Sequence, residues 1–152
     1  MVLLVGVACS PAPSPSAAYI AELSVDEAVA WFEERTLECL GPAGPLPDPR
    51  HWRCTHEFND GTYLEARVTG DANGVIELVG IASGMNAEDS ASFLGTTVAG
   101  LAVAAEVRDK LDLWAFERAE PGGTFTSDSV VIELQPHSPH RAVVVIATVT
   151  DP

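Results

Sequence analysis

The chain is expected to fold as a two-layer α+β domain: an antiparallel sheet of about five strands with two or three helices on one face, in the order α-βββ-α(α)-ββ. Three observations predict it. A run of apolar residues at helical spacing starts behind Ser24. Period-two alternation then recurs three times between His51 and Ala82, interrupted by Asn59-Asp60-Gly61 and Asp71-Ala72-Asn73-Gly74. A second long helical pattern opens at Asn86, and two runs dense in Val and Ile follow it. A helix and a sheet that each hide one apolar side are satisfied most economically as two layers around one core.

The first helix reads from Val25 to Leu40. Ser24-Val25-Asp26-Glu27 has the form of a capping box, in which the Ser24 hydroxyl accepts from the Glu27 N–H and Glu27 reaches back. Val25, Ala28, Val29, Phe32, Thr36, Cys39 and Leu40 form one stripe, with Glu27, Glu34 and Glu38 on the other side. Gly41-Pro42 is the expected stop, and a Gly/Pro-rich crossover leads to the first strand. Cys39 on the helix and Cys54 on that strand are both expected to face inward, so a disulfide between them would pin helix to sheet. A bond closing a loop of about 15 residues is worth roughly 3 kcal/mol in the chain-entropy model.

In the first strand Trp52, Cys54, His56 and Phe58 share one face, while His51, Arg53, Thr55 and Glu57 share the other. The second strand, 62–69, sets Leu64, Ala66 and Val68 against Tyr63, Glu65, Arg67 and Thr69; the third spans 75–82. This predicts a three-stranded meander with one charged and one apolar face. Beyond Asn86, the stripe Ala87, Ala91, Leu94, Val98, Leu101 shifts to Val107, Leu111, Trp114, which requires a break between Gly100 and Glu106. Residues 129–134 and 141–150 are expected to close the fold as a hairpin. The helix-then-strands order occurs twice, without residue-level similarity between the halves.

Size and charge bound the function. With 152 residues the chain makes one domain, and its 47% apolar and 20% charged content is that of a globular protein. A formal net charge of −14, with 22 acids against 8 bases, repels phosphate backbones, so nucleic acid is not an expected partner.

The start of the chain carries a further expectation. MVLLVGVAC is followed by SPAPSPSAA: an apolar run, small residues before Cys9, then a Pro/Ser/Ala segment. This resembles the end of a bacterial lipoprotein signal, and the chain is similar in that respect to small bacterial lipoproteins of unknown function. The resemblance implies that Cys9 is diacylated and becomes the mature N-terminus, and that the true start lies upstream. It divides the chain into a signal remnant (1–9), a flexible tether (10–22) and one α+β domain (23–150). It implies a membrane-anchored or secreted, extracytoplasmic address and an oxidising compartment in which Cys39 and Cys54 pair. The apolar run is too short to span a bilayer, which takes about 20 residues.

No residue set points to a reaction. His51 and His56 fall on opposite faces of one strand, and His137 and His140 share a turn, short of the three or four ligands zinc requires. No metal or cofactor is expected. Gly80-Ile81-Ala82-Ser83-Gly84 has GxxSG in place of the GxSxG elbow of hydrolases; a Ser-His site would need Ser83 or Ser90 near His51 or His56. Glu57 and Glu65 share a face with Arg53 and Arg67, which favours charge pairing between strands over carboxylate catalysis. Trp31 lies off the buried stripe of the first helix and is the candidate partner contact. The expected function is that of a non-catalytic, lipid-anchored domain, held to the membrane through Cys9, that binds or scaffolds an envelope partner. The alternatives are a small exported hydrolase or a cytosolic accessory protein.

Overall fold

A computed structural model describes residues 18–44, 49–127 and 129–147. The expected lipidation site, Cys9, lies outside them. Ser24 caps α1 (Val25–Glu33) through the full capping box, with Glu27 bonded back to the Ser24 N–H at 2.9 Å. The helix buries Val25, Ala28 and Phe32.

It ends seven residues short of Leu40, its expected last residue. Thr36 adopts φ 70°, the Thr36 N–H donates to Glu33 O, and the Leu37 N–H donates to Phe32 O, both at 3.1 Å. That pair of bonds is a Schellman closure, and the buried Leu37 supplies its usual hydrophobic contact. The position normally belongs to Gly, so a Thr gave no sign of it. Residues 38–43, assigned to helix and crossover, instead form β1 (Glu38–Ala43), an edge strand.

The meander is then β2 (Arg50–Glu57), β3 (Tyr63–Asp71) and β4 (Gly74–Ser83), each antiparallel to the one before. The Asn86 side chain caps α2 (Ala87–Ala91), which passes without interruption into a π-helical segment (Ser92–Val98) and a short 3₁₀ turn (Ala99–Ala102). The expected break follows, and α3 (Ala105–Glu117) turns back over the π-helical segment. A Cβ on Gly95 would lie 2.5 Å from the Ala115 Cβ, so the glycine permits this close crossing.

The last strands are β5 (Gly123–Thr126), β6 (Val130–Leu134) and β7 (His140–Ala147). The described residues therefore hold one seven-stranded antiparallel sheet, β1-β2-β3-β4-β7-β6-β5, where about five strands were expected. The two additions are β1 and β5. The latter has four residues and starts on a glycine, so it carries too few alternating positions to register as a strand.

All helices lie on one face. Beneath them the sheet contributes Cys54, Ala66, Val68, Leu78, Ile132, Val143 and Val145, each fully buried. The lead-in also joins the domain: Ile20 is buried, its N–H donates to Val75 O at 2.8 Å, and Tyr19 OH donates to Asp71 at 2.7 Å. The fold therefore takes in residues placed at the end of the tether.

Candidate functional site on the open face of the sheet

Among the described residues, helices cover one side of the sheet and leave the other open. The outward residues of neighbouring strands fall into rows. One row runs Leu40, Arg53, Arg67, Val79, Val144 from β1 to β7; the adjacent row contains Thr55, Glu65, Ile81 and Ala142. Arg53 and Arg67 are therefore directly opposed, an arrangement that repels when nothing lies between the charges.

Glu65 lies between them. It follows the inward Leu64 and points outward two residues before Arg67, yet its side chain is only 3% exposed because the neighbouring groups close over it. Arg53 Nη2 donates to Glu65 Oε2 at 3.0 Å and to Tyr63 OH at 2.8 Å. Tyr63 OH donates to the same carboxylate oxygen at 2.6 Å, and Arg67 Nε donates to Glu65 Oε1. Burial pushes the Glu65 carboxyl up, but the hydrogen bonds from Arg53, Tyr63 and Arg67 outweigh it and hold the group below the usual carboxylate range. Burial and the neighbouring Glu65 charge push the Tyr63 phenol up.

Two guanidinium groups thus share one buried carboxylate on a strongly acidic chain. Together with Leu40, His51, Thr69 and Val79 they line a concavity of about 690 Å³. Leu40, 78% exposed, is an apolar rim residue. Glu77 is the acid on the far side.

The other candidate residues are dispersed. Cys39 and Cys54 form the expected disulfide, but Cys39 is on β1, so the bond joins two adjacent strands and not helix to sheet. Trp31 is half-buried; its indole N–H donates to Thr97 O at 2.9 Å, and the Arg35 guanidinium lies 3.3 Å above its ring, so it ties α1 to the π-helical segment. His56 Nδ1 lies 3.1 Å from Thr36 O, and His137 Nε2 lies 3.1 Å from Met85 O. Among the described residues, no three His, Cys, Asp or Glu side chains gather around a point that could hold a metal ion.

One pairing escaped the sequence. Ser83 Oγ lies 2.8 Å from His140 Nδ1, and not beside His51 or His56, the histidines the sequence pattern offers it. The two residues are register partners at the ends of β4 and β7, and only the pairing of these distant strands brings them together.

The class these observations define is a two-layer α+β domain with a bare sheet face built around a charged cluster. No family model matches the chain, and neither a curated protein nor a solved structure is significantly similar to it.

Proposed function

We propose that the chain is a non-catalytic extracytoplasmic domain, anchored by lipid on Cys9, that binds an envelope partner with the open face of its sheet. The observation that carries the binding reading is the opposed pair Arg53 and Arg67, locked by the buried Glu65 beside a 690 Å³ concavity. Ordering two long cationic side chains before any partner arrives removes part of the entropy cost of binding. The exposed Leu40 adds the apolar contact that interfaces place beside a charged anchor. An acidic, partly apolar surface is the complement. The Cys39–Cys54 bond supports an oxidising address.

Two measurements test the reading. Intact mass of the native protein is expected to show acylated Cys9 as the first residue; an unmodified Met1 defeats the anchor. A photo-crosslinker at Leu40 is expected to capture a partner that one placed at Glu117 does not, with capture lost in Arg67→Glu. Equal capture at both positions defeats the binding face.

The Ser83–His140 contact favours a second reading, a small exported hydrolase with Ser83 as nucleophile and His140 as base. Covalent labelling by a fluorophosphonate that disappears in Ser83→Ala would establish it. No labelling of the folded chain would remove it.

A further inference from the structure

A second concavity, of about 230 Å³, lies on the helical side of the molecule, between the end of α1, the β2–β3 hairpin and the π-helical segment. Its walls are Leu37, Leu64 and Phe93, with Phe58, 42% exposed, at the rim. His56 packs edge-on against Phe58, ring centroids 4.3 Å apart.

Two uncommon backbone features border this one cavity. Thr36 is a β-branched residue at φ 70°, a conformation that persists only where the surroundings enforce it. Across the cavity, Phe93 and Thr97 belong to the seven-residue π-helical segment, a rare geometry that is frequent at functional sites. The His56 contact to Thr36 O, at 3.1 Å, ties β2 to the end of α1 along one wall. A carbonyl oxygen only accepts, so Nδ1 carries the proton and the ring is held in one orientation.

The cavity also has a positioned cation. Arg35 lines it, with Nη1 donating to Trp31 O at 2.9 Å and the guanidinium carbon 3.3 Å from the centroid of the Trp31 ring. The nearest acid, Glu34, lies 4.0 Å away and is mostly exposed, so it competes weakly for that charge.

From apolar walls, a volume below the roughly 300 Å³ at which drug-sized sites begin, and one fixed guanidinium at the edge, we propose that this cavity binds a compact apolar carboxylate. The ligand is a single ring or branched chain carrying one acid group, its body against Phe93 and Leu64 and its carboxylate on Arg35. This site is separate from the open sheet face and does not depend on the reading given for it.

The test is an amide-resolved NMR titration of the oxidised full chain with phenylacetate up to about 10 mM, a range suited to millimolar affinity, using phenylacetamide as the uncharged isostere. Saturable shifts are expected around Thr36, His56, Phe93 and Thr97. The amide should bind about 10-fold more weakly, the scale of one charge-assisted hydrogen bond. Arg35→Gln, at an exposed position, should close the gap between acid and amide, and Thr97→Leu should fill the cavity from its rim and abolish both. The same spectra report whether each variant is folded. Absence of saturable shifts, equal binding of acid and amide, or binding that survives Thr97→Leu would each overturn the proposal.

Discussion

Cys39 lies directly opposite Cys54 on neighbouring antiparallel strands, with Cα atoms 3.9 Å apart and a disulfide between them. The bond therefore secures an edge. β1 is exposed along almost its whole length, its pairing with β2 shifts register between Leu40 and Ala43, and it has a neighbour on one side only. Few buried contacts hold it otherwise, which is the condition for local opening.

Removing the bond should release this edge first. The double variant Cys39→Ser/Cys54→Ser is expected to lose about 3 kcal/mol in denaturant unfolding. Hydrogen exchange should rise on residues 38–43 well before it rises on β3 or β4. Thiol counting on the unfolded, unreduced chain should find neither Cys39 nor Cys54 free; two free thiols there would contradict the structure.

The Glu65 cluster predicts a pH dependence. The folded-state pKa of Glu65 is held below the ordinary glutamate value, because the hydrogen bonds from Arg53, Tyr63 and Arg67 outweigh the opposing effect of burial. Its contribution to stability is therefore complete above the unfolded pKa of about 4.3 and is lost as pH falls through the lower folded value. Glu65→Gln is expected to be less stable than the parent at pH 7, and the difference should shrink progressively as the pH is lowered below the unfolded value. A gap that persists at low pH would mean that shape, not charge, sets the cost.

Arg141 is fully buried, and no carboxylate bonds to it among the described residues. Its guanidinium donates to the carbonyls of Gln135 at 2.8 Å, Ala87 at 3.2 Å and Arg118 at 3.2 Å, and to Ser90 Oγ at 3.2 Å. One side chain on β7 thus gathers the start of α2, the end of α3 and the β6–β7 connection. Burial pulls its pKa down, opposed by the charge of Glu120. Arg141→Met should cost roughly 3 kcal/mol or more by stranding buried acceptors. Arg141→Lys should rescue little, since an ammonium cannot span partners on three segments. Thermal unfolding of both variants decides this.

Thr36 offers a gain. Its left-handed conformation costs an ordinary residue about 1 kcal/mol, so Thr36→Gly is expected to raise the unfolding free energy by that order. A loss would show that contacts of the Thr36 side chain outweigh the backbone cost.

The sequence by itself determined the α+β class, the capping box at Ser24, the helix that opens at Asn86, the inward set Cys54, Leu64, Ala66 and Val68, the break before α3 and the Cys39–Cys54 partnership. All but the cysteine pair rest on local chemistry or on a period readable within a dozen residues; that pair, 15 residues apart, keeps its partners although Cys39 lies on β1 and not on a helix. It also set Glu65 on the same face as Arg53 and Arg67, because alternation fixes faces. Tertiary structure decided the rest. The helix stop at Thr36 and the strands β1 and β5 depend on neighbours that satisfy their backbone groups. The meeting of Ser83 with His140 depends on which strand lies beside β4. Strand partnership is a long-range choice made by the sheet as a whole, and no short window of residues contains it.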